Sequence, residues 1–281
     1  MIVRRRLLAL GVLAAAVIGL TVAIAGVHGR HKPKPITTLA APKPFRIVFP
    51  EGFTRWDMAK RIKVVDAIAH RERGVRPRLS SAQYVRITST RRLAPLAFGP
   101  KAPNLEGFLF PATYDFTART TTLQLVRAQL QAFRRNWRRV NLAYARSKNL
   151  TPYDVLIIAS MVEKEALAPE ERPKIARVIY NRLHARMKLG IDATIRYALR
   201  VPGTRSLTES ELHAKTPFNT RAVLGLPPTP IANPGLASIQ AAAHPVSGDW
   251  LYFVRKPDKV HHFFTASERE FLAYERAHGY R

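Results

Sequence analysis

The chain contains no cysteine, which excludes disulfide bonds, thiolate nucleophiles and cysteine-ligated zinc or iron–sulfur centres. Acidic residues are scarce too: 19 Asp and Glu stand against 46 Lys and Arg, a formal net charge of +27 over 281 residues. A field of that sign favours polyanions, whether nucleic acid, anionic lipid or an acidic polymer. The basic residues are spread along the chain, so charge alone selects none of these. Several chemical signatures are also missing. The sequence has no GxSxG elbow for a serine nucleophile, no GxxxxGK[ST] or GxGxxG phosphate loop, and no RNP or zinc-finger pattern. Nine histidines are present, but without an HExxH motif or a carboxylate cluster. His261 and His262 are neighbours on a predicted strand and must face opposite ways. No metal, cofactor or nucleic-acid partner is expected, and no internal repeat is evident.

What the sequence does have begins with an uncharged run at residues 7–27 (LLALGVLAAAVIGLTVAIAGV), preceded by Arg4, Arg5 and Arg6. At 1.5 Å per residue it reaches across the roughly 30 Å core of a bilayer, so a transmembrane anchor is expected. A cleaved signal peptide is the alternative, since Ala23-Ile24-Ala25 has the small-x-small form of a cleavage site. The run is longer than a usual signal core. Basic residues flank it on both sides and leave its orientation open. Residues 28–44 (HGRHKPKPITTLAAPKP) read as a Pro-rich spacer.

The remainder, 47% hydrophobic over the whole chain, can bury a core. Phe45 to Phe49 reads as a strand, and Thr54 with Asp57 caps a helix to about Val65. A second short helix starts near Ser80 or Ser81. LEGFLFP at 105–111 is an aromatic loop or strand with one embedded carboxylate, Glu106. Leu123, Val126, Leu130, Phe133, Trp137, Val140 and Tyr144 recur in steps of three and four, predicting one helix with Arg134, Arg135, Arg138 and Arg139 on its solvated face. Residues 151–194 read as two helices back to back. The polar, Pro-rich stretch 190–235 reads as a long ordered loop walling a cleft. A small-residue helix over 237–243, a β-hairpin from 249 to 264, and a last helix capped by Thr265 with Glu268 complete the chain.

One carboxylate is conspicuous. Thr151, Pro152 and Asp154 form a helix-start pattern. At 100° per residue, Ile158, Met161, Val162 and Glu165 then fall on one side, with Glu163 nearly opposite. A glutamate that continues an apolar stripe has its pKa raised, which prepares a general acid for neutral pH. The alternative is a stripe-edge glutamate paired with an arginine.

Six segments in order carry a resemblance: LEGFLFPATYDF (105–116), ASMVEKEA (159–166), VIYNRLHARMKLGIDAT (178–194), TPFNT (216–220), GLPPTPIANPGLASIQAAAHP (225–245) and YFV (252–254). Together they are similar to the YceG-like family of membrane-anchored endolytic murein transglycosylases, and the FPEGFT opening resembles that family's LysM-like subdomain. The resemblance implies that Glu165, the second glutamate of the VEKE-type motif, is the catalytic acid. It implies cleavage between MurNAc and GlcNAc of nascent peptidoglycan with a 1,6-anhydroMurNAc end as product. It also points to Glu106, Asn181, Arg182, Asp192, Thr194, Asn219 and Thr220 as residues lining the glycan cleft. Glu106 and Asp192 have a structural alternative, holding loops in place, as Asn181 and Arg182 do in tying the second helix to a loop. The chain departs from the family pattern at Asp192-Ala193-Thr194, where Asp-Pro-Thr is common, and at Phe218-Asn219-Thr220-Arg221, where Tyr-Asn-Thr-Tyr is common. Only one LysM-like unit is found.

The expected fold is α+β. It comprises a cytoplasmic tip and anchor (1–30), a linker (31–44), a LysM-like strand-and-helix subdomain (45–100) and a mostly helical catalytic domain with a C-terminal hairpin (101–281). The expected setting is the inner membrane, with the catalytic domain on the periplasmic side and synthases of the elongation or division machinery as partners. A non-catalytic, peptidoglycan-binding scaffold is the alternative, because both departures fall at the cleft.

Overall fold

A computed structural model describes residues 44–98 and 102–280; the expected anchor and all but the last residue of the linker lie outside them. Among the described residues no helix is long and apolar enough to cross a membrane. The described chain is α+β and belongs to one compact unit, residues 43–281.

Strand β1 (Phe45–Val48) pairs antiparallel with β2 (Thr113–Phe116), Phe45 opposite Phe116 and Val48 opposite Thr113. Between them run α1 (Arg55–Arg73) and α2 (Ser81–Thr88). The Thr54–Asp57 capping box starts α1 as expected, but the helix continues past Val65 until Gly74 adopts the left-handed conformation, φ 62°. Its last turns bury only Ala69 and gain from basic residues at the C-terminal dipole.

Helix α3 (Thr122–Trp137) ends earlier than its apolar period suggests, and Tyr144 belongs to the separate helix α4 (Ala143–Ser147). The period runs through the break because both helices face one core. The backbone ends α3 by tightening, with Arg139 N–H donating to Asn136 O and Val140 N–H to Trp137 O. Asn141 Oδ1 then accepts the Ala143 N–H at 2.9 Å, the local competition that favours asparagine at such turns. The four arginines of the expected polar face are exposed.

The centre of the unit is α5 (Pro152–Glu165), started by the Thr151–Asp154 capping box. Every residue from Val155 to Val162 is buried, so α5 is wrapped on all sides and not only along a stripe. It packs against α6 (Arg172–His184) and α9 (Leu236–Ala243). Residues 190–235 are less irregular than expected, since α7 (Asp192–Leu199) and α8 (Glu209–Leu212) form within them. The hairpin β3 (Tyr252–Arg255) and β4 (His262–Thr265) forms as expected. The last helix, α10 (Glu268–Ala277), is capped by Ser267 and not Thr265. Thr265 Oγ1 instead accepts the Ser267 N–H and donates to Glu270.

Candidate active site

Glu165 is the last residue of α5. It keeps partial exposure, and its carboxylate makes no hydrogen bond or ion pair with a described residue. Dense protein around it raises its pKa to about 7 through burial, helped by the negative Asp192 and opposed by Arg255, Lys164 and Arg196. Its place at a helix C-terminus works in the same direction, because the dipole there disfavours an anion. The group is thus an acid that can hold a proton near neutral pH with both oxygens free for a ligand. Glu163, two residues earlier, is committed to the scaffold, where its Oε2 accepts the Gly235 N–H at 3.0 Å and so holds the start of α9.

Asp192 is the first residue of α7, where the helix dipole favours its charge. Arg221 Nε lies 2.5 Å from its Oδ1, and both side chains are roughly half exposed. Arg221, one of the two departures from the family pattern, therefore pairs with a carboxylate whose charge reaches Glu165. The loops bearing Asp192 and Arg221 are stitched together. Gly190 N–H donates to Thr220 O and Ile191 N–H to Thr220 Oγ1, which lies 3.1 Å from Thr194 Oγ1.

The other expected cleft residues are placed differently. Thr194, Asn219 and Thr220 are buried and spend their polar groups on the chain itself. Asn219 donates to Leu212 O and Ala214 O, fixing the turn that presents Arg221. Asn181 donates to Gly248 O and Trp250 O, and Arg182 to Leu189 O and Leu251 O. The pair ties α6 to the loop before α7 and to the lead-in of β3. Burial lowers the pKa of Arg182.

Glu106 is wholly buried. Burial raises its pKa to about 7 as well, but its oxygens accept the Arg55 N–H, Asn233 Nδ2 at 2.7 Å and the Tyr197 hydroxyl at 3.2 Å. It joins α1, α7 and the 228–235 segment, and it offers no surface to a ligand.

Sequence reasoning missed Asn233, Arg196 and Arg255. Asn233 donates to Glu106 and Phe53 O, and its Oδ1 accepts the N–H groups of Gly107 and Leu109. A lone amide inside IANPG is the signal that marks it. The two arginines bear no such mark, since they reach Glu165 only through folding. Among the described residues no group of three or more His, Asp and Glu gathers as a metal site.

The sequence pattern described as the YceG-like family matches residues 29–277. The chain is 38% identical over 153 residues to an endolytic murein transglycosylase of Bacillus subtilis, covering 54% of this chain and 42% of the relative. It is 40% identical over 156 residues to one from Streptococcus pneumoniae, covering 53% and 28%. The chain thus spans less than half the length of these curated relatives. A crystal structure of a YceG-like protein from Listeria monocytogenes superposes with a TM-score of 0.68 at 28% identity, covering 82% of this chain and 75% of that one.

Proposed function

Since the chain belongs to the YceG-like family, we propose that it is a peptidoglycan lytic transglycosylase with Glu165 as its acid and then its base. The observation that carries this reading is the state of Glu165: partly exposed, held near pKa 7, with no partner for its carboxylate among the described residues. Protonated Glu165 donates to the glycosidic oxygen between MurNAc and GlcNAc, and an oxocarbenium-like state develops. The ionised carboxylate then takes the proton from the C6 hydroxyl of the same MurNAc as that oxygen closes on C1. The product is a 1,6-anhydroMurNAc end. An internal hydroxyl replaces water as nucleophile, so a second catalytic carboxylate is not required. Asp192, held by Arg221, acts electrostatically and at the cleft wall. In this reading Thr194, Asn219, Thr220, Asn181, Arg182 and Glu106 shape the cleft from behind.

Residues 7–27 anchor the protein in the inner membrane, the catalytic domain works outside the cytoplasm on nascent strands, and residues 45–100 are a LysM-like subdomain. Synthases of elongation or division are the proposed partners, with cleavage ending glycan extension.

Mass spectrometry of peptidoglycan treated with the full chain in detergent tests the reaction, wild type against Glu165→Gln. New anhydroMurNAc ends with the wild type alone are expected. Hydrated reducing ends would make the protein a hydrolase. Glycan binding without cleavage by either form would make it a scaffold.

A further inference from the structure

Between α1, α7 and the 216–229 segment lies a groove of about 450 Å³ whose lining includes Trp56, Tyr197, Phe218, Asn104, Arg55 and Arg200. The three rings form a continuous wall, Trp56 to Tyr197 at 5.2 Å and Tyr197 to Phe218 at 5.3 Å between centroids. Two guanidinium groups share the Trp56 indole, Arg55 at 4.2 Å and Arg200 at 4.3 Å from its centroid. One ring attracts each cation, but two like charges gathered on it repel.

Neither arginine is fully satisfied. Arg55 is 9% exposed, yet its Nε has no hydrogen-bond partner among the described residues. The acid facing it, Glu106, is 4.0 Å away and already accepts from three other groups. The Arg200 guanidinium makes no hydrogen bond or ion pair with a described residue, and only its backbone N–H is engaged, donating to Tyr197 O at 3.3 Å. Arg200 also caps α7 in the left-handed conformation, φ 56°, where glycine or asparagine would be less strained. A strained backbone that brings a second, unneutralised guanidinium to an aromatic groove is a fit for an anion carried on a larger body.

We propose that this groove binds a carboxylate of the glycan, on its lactyl or peptide substituents, between Arg55 and Arg200, with the attached apolar surface against the aromatic wall. Neither Glu165 nor Asp192 lines this groove. The groove therefore serves a part of the strand other than the bond being cut. The inference rests on the proposed reading of the protein as glycan-binding.

The test measures binding to the full chain in detergent carrying Glu165→Gln, so that nothing is consumed. The probes are peptide-bearing peptidoglycan strands of defined length, a neutral chitooligosaccharide of the same ring count, and acetate alone. Adding Arg200→Gln should weaken the peptidoglycan strands about tenfold, as expected for a lost charge-assisted hydrogen bond, with chitooligosaccharide binding unmoved. Arg200→Gly relieves the backbone strain, so the same loss in a protein that melts no lower separates binding from folding. Unchanged strand binding, an equal loss for the neutral oligosaccharide, or acetate competition that is the same with and without Arg200 overturns the proposal. If the wild type cleaves nothing while the selective loss persists, the groove stands and the catalytic reading falls.

Discussion

Glu165 and Glu106 are both raised to about 7 by burial, yet their surroundings give them opposite roles. In the proposed reaction Glu165 starts protonated, so activity should decline as pH rises through about 7. Asp192→Asn removes a negative neighbour, lowers the Glu165 pKa and should move that limb to lower pH. Arg255→Gln removes a positive one and should move it higher. The pH profile of kcat/KM reads both, and limbs that stay put while the rate falls would assign these residues to packing alone. Glu106 speaks to stability. Its folded pKa lies above its ordinary 4.5, so the folded state holds the extra proton between about 4.5 and 7. Stability is therefore undiminished below 4.5 and falls as pH rises to about 7, by at most about 1.4 kcal/mol per pH unit for one group. Glu106→Gln cannot titrate and should remove its share of that slope in denaturant melts across this window, leaving the equal share of Glu165. The distinction between the two glutamates was only half legible in the sequence. Glu165 stood out because helical phase and motif agree on it, whereas the partners of Glu106 lie 51, 91 and 127 residues away and no local pattern announces them.

At the scale of elements, the loop over 105–109 is where the chain is most tightly constrained. Gly107 has φ +87°, and a Cβ there would lie 2.7 Å from Pro230 and 3.1 Å from Leu156 on α5. Gly107→Ala therefore meets both backbone strain and a clash, and should cost about 2–4 kcal/mol. The expected sign is a lower Tm with the pH profile of any surviving activity unshifted; an unchanged Tm would mean the loop can yield. A second fastening holds the hairpin that carries Arg255. Buried Glu171, just before α6, accepts the His262 N–H and pairs with its ring Nδ1 at 2.7 Å. Which elements could be read in advance follows from the range of the forces that form them. The capping boxes at Thr54 and Thr151 span three residues and were visible. The break between α3 and α4 was not, because apolar periodicity reports the direction of the core and is blind to backbone continuity. The same blindness hid the full burial of α5, which has apolar neighbours on every side and so no single stripe to read.

For the whole molecule, the decisive quantity is charge, +27 across the sequence, with Arg134, Arg135, Arg138 and Arg139 exposed at the end of α3. Peptide-bearing glycan and anionic lipid both carry negative charge, so long-range attraction should concentrate the protein on either surface. Exposed charges are screened beyond about 8–10 Å near physiological ionic strength. Electrostatic attraction must then weaken with salt, while contacts at the proposed Glu165 site, being short and partly desolvated, should weaken less. Pelleting of the full chain with isolated peptidoglycan should fall several-fold between about 10 mM and 150 mM salt. Replacing the four arginines by glutamine should reduce that dependence with little change in Tm, since none of them supports the core. Affinity that ignores salt in both proteins would leave the charge without a part in docking, and recognition would rest on the cleft and its aromatic groove.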